Sequence, residues 1–305
     1  MTDKVESRIS SELYDKPSIL SVVTTSKCNL DCSFCGGAYY MDREDTSREF
    51  QRSQIMEQLE LNPGIQEIHW TGGEPLLAQR KIEDFFFELK ESHPHLKHQM
   101  YTNGLKMRKS HLPMLKQFDV IFVSIDGYTK SERPFMNFIN GGNHEALETL
   151  YELDNYYSWG VMTRDQLGDK RWYEDFIELH RALYHYRPGG VSLLFDAMMP
   201  KPLSPDHVMN FMYGYWKILD NIERLNMQND TECGLAISKM FDTECNICSE
   251  VLWLNADGAI EQNQNAPEIV SVGCNRLARS IGVEAYNYIN RVISAKRIRA
   301  AKNEQ

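Results

Sequence analysis

Cysteine placement is the first sign of chemistry in this chain. Cys28, Cys32 and Cys35 fall within eight residues, in KCNLDCSFCGG, out of seven cysteines in the whole sequence. Asn29, Asp31 and Ser33 between them are turn formers, so the three thiols sit on a loop rather than a helix. Such a loop can fold thiolates around one polynuclear iron centre, whereas a tetrahedral zinc ion needs a fourth ligand. No further cysteine or histidine lies within 30 residues on either side. Three thiolates on a cubane leave one iron open to a substrate or cofactor; a zinc site completed from far along the chain is the alternative. The other four, Cys233, Cys245, Cys248 and Cys274, number the thiolates that saturate a cluster or a zinc ion. Their C-x2-C leads into a strand and an Asp257-Gly258 hairpin turn, as a zinc ribbon would, and on residue types alone iron–sulfur and zinc stand level.

The elements that must carry these residues are legible as a β/α alternation. SILSVVTT (18–25) reads as a buried strand ending where the cysteine loop begins, followed by a helix over 47–61. Strands at IQEIHW, KHQMYTNG, VIFVSIDG, YSWGVMTRD and GVSLLFDAMMP alternate with helices at RKIEDFFFELKES, HLPMLKQF, HEALETLYELD and RWYEDFIELHRALYHY. Six repeats of this kind predict an α/β fold with a parallel sheet and functional loops at the carboxyl ends of its strands. After Pro200 the pattern changes to a long helix from His207 to about Leu225, a polar stretch with the four distal cysteines, and a last helix over about 276–302. The expected division is an N-terminal extension at 1–17, a main domain at 18–203, and a linker helix, small domain and terminal helix at 204–305.

With 305 residues the chain can bury a full core without disulfides. No run approaches the roughly 20 apolar residues of a membrane span, and MTDKVESRISSELYDKP has no signal-like apolar region. These features predict a protein of the reducing cytoplasm, where clustered cysteines more often bind metal or do redox chemistry than form disulfides. A net charge of −10 argues against a broad nucleic-acid or anionic-membrane surface. His93, His95 and His98 read as solvated residues in polar surroundings.

Taken in order along the chain, these motifs resemble the radical S-adenosylmethionine (SAM) superfamily. The C-x3-C-x2-C loop with Phe34 before its third cysteine is similar to that family's signature. Gly72-Gly73-Glu74-Pro75 resembles its GGEP element, whose backbone and Glu hold the SAM amino group. Tyr101 to Gly104, YTNG, with Asn103, sits where many members have a similar TNG. Ser124-Ile125-Asp126-Gly127 resembles the stretch where a Ser touches the SAM ribose or carboxylate, and Arg133 a following Arg that pairs with the carboxylate. The resemblance spans about 18–200. It implies a partial (β/α)6 barrel, a 4Fe–4S cluster on Cys28, Cys32 and Cys35, SAM on the open iron, and a flavodoxin- or ferredoxin-type reductant. The distal cysteines resemble twitch or SPASM extensions, implying a second 4Fe–4S cluster on Cys233, Cys245, Cys248 and Cys274. In the related GTP-cyclising enzyme the third cysteine of that region would fall near Gln262.

Cysteines divided three and four leave no free thiol, which weighs against an epimerase that donates hydrogen from cysteine. An oxidation is then expected, a dehydrogenation or crosslink of a peptide or small molecule. It would need a base, for which Tyr101, Asp165 and Asp196 at strand ends are candidates, each also readable as a cap or ion-pair partner; Arg164 reads as a further SAM contact. Only about 17 residues precede the first strand, too few for a leader-binding domain. A GTP-cyclase-like enzyme, a peptide epimerase, and a non-catalytic zinc or iron–sulfur protein are the competing expectations.

Overall fold

Burial alternates along the central strands, and that alternation sets which face of the sheet is packed and which faces the site. The computed structural model describes residues 17–35, 50–184, 186, 190–195, 204–229, 234–235, 251–254 and 260–262. Strands β1 (Ile19–Val23), β2 (Glu67–Thr71), β3 (Lys97–Thr102), β4 (Val120–Ser124), β5 (Tyr156–Met162) and β6 (Gly190–Phe195) lie side by side in sequence order, every pair parallel. The order never reverses, so right-handed crossovers put the helices on one face, the winding that a partial barrel needs.

Helices α1 (Arg52–Leu61), α2 (Gln79–Ser92), α3 (Leu112–Leu115), α4 (Met136–Asn140), α5 (His144–Tyr151), α6 (Arg164–Gly168) and α7 (Trp172–Tyr184) follow in the crossovers, and α8 (Pro205–Asn229) follows β6. In α2 the buried residues are Ile82, Phe85, Phe86 and Leu89, one stripe of a 3.6-residue period. They belong to the same core as Ile68, Trp70, Met100, Ile121 and Val123 of the strands, with Trp70 edge-on to Phe50 and Phe85. The alternate residues Glu67, His69, Gln99, Tyr101, Phe122 and Trp159 occupy the other face and are half-buried. Strand β1 is buried along its whole length.

Two differences from the sequence expectation have physical causes. Among the described residues the sheet has nine strands, not six: β7 (Gly234–Leu235) pairs with β6, and β8 (Val251–Leu254) pairs in parallel with β1 and antiparallel with β9 (Ile260–Gln262). The hairpin expected after Cys248 is thus part of the main sheet, where it satisfies the second edge of β1. Strand β5 ends at Met162 rather than running to Asp165, because Thr163 and Gln166 form a reciprocal capping box that starts α6. Arg164 and Asp165 therefore stand in the first turn of a helix. Cys233, Cys245, Cys248, Cys274, Asp196, the N-terminal extension and the helix over 276–302 lie outside the described residues. Among the described residues no helix is long and apolar enough to cross a membrane.

His98 departs from the expectation of a solvated loop residue. Its position on β3 turns it to the packed face with Met100, and it is fully buried. Its Nδ1 accepts from the Trp70 indole N–H at 3.2 Å, so Nε2 carries the proton, edge-on to the Phe86 ring. Burial, with a lesser push from Lys90 and an opposing one from Asp119, lowers its pKa to about 4. The unfolded chain takes up this proton near pH 6.5 and the folded chain does not, so His98 costs nothing above about pH 6.5. Stability is then lost as pH falls from about 6.5 to about 4, by roughly 3 kcal/mol. In His98→Gln an amide oxygen accepts from Trp70 without titrating. Urea unfolding of that variant at pH 7.5 and pH 4.5 should show a smaller loss than the parent chain.

Candidate active site

Cysteine chemistry here begins with how a polar loop is pinned at the end of a buried strand. Thr24 N–H donates to the Thr71 carbonyl at 2.8 Å, continuing the β1–β2 pairing past the strand ends. Gly73 N–H then donates to Thr25 O and Glu74 N–H to Lys27 O, both at 2.8 Å. The two chains run so close that a Cβ on Gly73 would lie 2.1 Å from Lys27 O, and one on Gly72, at φ +128°, 2.6 Å from Thr25 O. The glycines are therefore required by the approach of the cysteine loop itself.

Glu74 is fully buried, and its carboxylate accepts from Leu76 N at 3.0 Å, Thr102 Oγ1 at 2.6 Å and Asn103 N at 2.7 Å. It welds the ends of β2 and β3 together, with Pro75 at the start of the following turn. Burial raises its pKa and these three bonds oppose that rise. Of about four lone-pair sites one remains for an ammonium. Asn103 Nδ2 donates to Asn29 Oδ1 at 2.9 Å, tying the end of β3 to the cysteine loop as well.

The loop after β4 closes the other side. Arg133 donates from Nε and Nη2 to the Asp126 carboxylate at 2.8 and 2.5 Å, and Val161 N donates to the same carboxylate at 2.7 Å. Burial pushes Asp126 up, but three N–H donors on an arginine-paired carboxylate keep the pair ionised. Arg133, expected as a carboxylate partner for a ligand, thus spends two donors on the protein, with its guanidinium carbon 4.9 Å from the Phe34 ring centroid. Glu132 accepts from Ser33 N at 2.5 Å and from Ser33 Oγ. Asn29 and Glu132 carry no sequence signal as contacts, since a polar residue in a turn is the ordinary case, while Thr102 is the last residue of β3 and the T of YTNG.

Within the loop, Cys35 N–H donates to Cys32 O, and Leu30 N–H to Cys28 Sγ at 3.4 Å. Burial raises the pKa of Cys28 and pushes that of Cys32 up to about 11. Those two thiols are thus protonated at neutral pH, and metal binding must release their protons. Among the described residues no three ligand side chains converge around one ion. Three thiols on one loop suit a cubane, which gives each thiolate its own iron.

The remaining candidates divide. Arg164 Nε is buried and has no hydrogen-bond partner among the described residues, a donor left over for an anionic group. Ser124 is half-buried at the end of β4, opposite Trp159. Asp165 is exposed and shares a cavity of about 300 Å³ with Asp126, Lys130, Asp169 and Asp175. Tyr101 is on the open face of the sheet, where its OH donates to Gln99 Oε1 at 3.3 Å and its ring stacks on Phe122. Burial holds its pKa above the ordinary phenol value.

A family model described as the radical SAM superfamily matches residues 22–187. The GTP 3′,8-cyclase of Paenarthrobacter nicotinovorans is 30% identical over 128 residues, which cover 39% of this chain and only 36% of the cyclase. Streptococcus suis SuiB bound to its precursor peptide SuiA superposes with a TM-score of 0.60 at 14% identity, over 93% of this chain and 69% of SuiB. SuiB bound to SAM gives 0.59 at 14% identity, over 86% and 63%. Native anSMEcpe with bound SAM and Cp18Cys peptide gives 0.59 at 14% identity, over 86% and 80%. At such identities the likeness to the solved structures is one of fold.

Proposed function

This chain belongs to the radical SAM superfamily, and on that premise we propose that it cleaves SAM reductively and oxidises a peptide or small molecule in the cytoplasm. The observation that carries this reading is the cysteine loop, held at the ends of β1, β2 and β3 by Gly73, Glu74 and Asn103. When bound there, a 4Fe–4S centre and SAM supply the one-electron cleavage that yields methionine and a 5′-deoxyadenosyl radical able to take a substrate hydrogen.

Cys28, Cys32 and Cys35 would hold the centre as thiolates. Gly72, Gly73 and Glu74 offer backbone groups and one free lone pair to the SAM ammonium, and the unpartnered Arg164 Nε offers a donor to its carboxylate. Arg133, fixed by Asp126 and stacked on Phe34, presents its remaining N–H groups to the same anion. Ser124 and Asn103 are the candidate contacts to its ribose and carboxylate. For the base that an oxidation requires, burial keeps Tyr101 protonated and suits it to donating, which leaves the carboxylates Asp165 and Asp196. Cys233, Cys245, Cys248 and Cys274 would hold a second 4Fe–4S cluster in a twitch-like segment, which would supply the electron acceptor that an oxidation needs. A flavodoxin- or ferredoxin-type protein supplies the first electron. The peptide reading takes support from the bound peptides of SuiB and anSMEcpe.

Anaerobic reconstitution followed by iron and sulfide counting, then SAM and dithionite, tests this. About eight irons per chain with 5′-deoxyadenosine formed is the expected result. About four irons with cleavage removes the second cluster, and no cleavage removes the enzyme. A cyclase-like reaction on GTP is the second reading, favoured by the 30% identity to GTP 3′,8-cyclase; consumption of GTP by the reconstituted chain would establish it over the first.

A further inference from the structure

Ser33 lies between two of the cluster-holding cysteines and carries two donors, its N–H and its hydroxyl. Hydrogen bonds to cluster sulfurs raise a reduction potential, and so does a loss of negative charge nearby. In this chain neither donor is left for sulfur: the N–H donates to Glu132 Oε2 at 2.5 Å and the hydroxyl to Glu132 Oε1. Ser33 is the residue next to Cys32, so the same carboxylate is held against the cysteine loop.

Glu132 is not a free-swinging surface residue, because the loop that carries it is built to stay in place. Asp175 of α7 accepts from Tyr128 N, Thr129 N and Thr129 Oγ1 at 2.9 Å and from Lys130 N at 3.1 Å. A Cβ on Gly127 would lie 2.3 Å from Asp175 Oδ2, so the capped turn needs glycine there. Asp126 N–H donates to Arg133 O at 3.0 Å and Phe135 N–H to Gly127 O at 2.9 Å, closing the base of the loop. Arg133 is locked by Asp126, and Glu132 is its neighbour. From α7 to the cysteines there is an unbroken line of named contacts.

We propose that Glu132 is a positioning residue that clasps the cysteine loop at Ser33 and, by engaging both Ser33 donors and adding a negative charge, lowers the reduction potential of the centre held by Cys28, Cys32 and Cys35. The second half rests on the cluster reading above; the clasp does not. A low potential is what a reductive cleavage of SAM requires of its electron source. Glu132 touches neither ligand atom nor substrate and acts only through Ser33 and through its field.

Hydrogen exchange on the full-length apoprotein tests the clasp. In Glu132→Ala the peptide spanning Cys28 to Cys35 should exchange roughly tenfold faster, the loss of a charge-assisted hydrogen bond, while Glu132→Gln should stay near the parent rate. An EPR-monitored reductive titration of the reconstituted chains tests the charge. Glu132→Gln should shift the potential upward with iron content unchanged, Glu132→Ala should shift it further, and Glu132→Asp should return it toward the parent. Unchanged exchange in Glu132→Ala overturns the clasp, and an unchanged potential in Glu132→Gln overturns the tuning. A parent chain that takes up no iron defeats the cluster reading and the tuning with it, while the exchange result still decides the clasp.

Discussion

Replacing Cys32 by alanine is expected to leave the chain folded, to lower its iron content by about four per chain, and to reduce 5′-deoxyadenosine formation to background. The loop does not depend on that thiol for its shape. Lys27 O is held by Glu74 N, Asn29 by Asn103 and Ser33 by Glu132, so circular dichroism and the urea midpoint should match the parent. What is lost is one of three ligands with no reserve nearby, since no other cysteine lies within the first 200 residues. Anaerobic reconstitution, iron analysis and chromatography of the nucleoside product check all three expectations. A Cys32→Ala chain that still cleaves SAM at the parent rate would refute the assignment of this loop.

Gly73→Ala is expected to do comparable damage by a different route. Its Cβ would stand 2.1 Å from Lys27 O, 2.6 Å from Lys27 C and 2.9 Å from Ser26 O, all backbone atoms with no rotamer to escape through. One of the two segments must move by an ångström or so, which breaks Gly73 N–H to Thr25 O and Glu74 N–H to Lys27 O together. Overpacking and the lost bonds cost roughly 2–4 kcal/mol. The displaced loop should also hold iron poorly, even though every cysteine is intact. Gly64→Ala is the control: among the described residues its Cβ would meet only Pro17 O, at an ordinary 3.6 Å. The comparison needs a urea unfolding curve and an iron count for each variant, and equal values for the two would contradict the packing account.

Much of this was legible from residue order. The strand-loop-helix rhythm to residue 195, the cysteine spacing and the GGEP and SIDG stretches each fell at the carboxyl end of a strand, because a period-two run ending in Gly, Asn or Asp marks both the strand and its exit. Less legible was what each motif residue touches. Glu74 and Arg133 carry the types suited to an amino acid ligand, yet most of their hydrogen-bonding capacity goes to Leu76, Thr102, Asn103 and Asp126. Such partners come from other strands, and spacing along one segment holds no information about them. His98 looked solvated because its sequence neighbours are polar, but the β3 alternation turns it inward against Trp70. The capping box at Thr163 was visible in principle as T-x-x-Q, and it moved Arg164 and Asp165 off the strand. The β1–β8 pairing had no local sign at all, since Ile19 and Val251 are joined only by the completed sheet.

That last pairing bears on the order in which the molecule can be made. Strand β1 leaves the ribosome before β8, so while the intervening chain is made the strand that presents Cys28 keeps an open edge of unpaired N–H and C=O groups. Helices on the packed face can form early, but the edge cannot be sealed until Val251 to Leu254 arrive. The strand end that carries the three cysteines is therefore completed by a segment more than two hundred residues away.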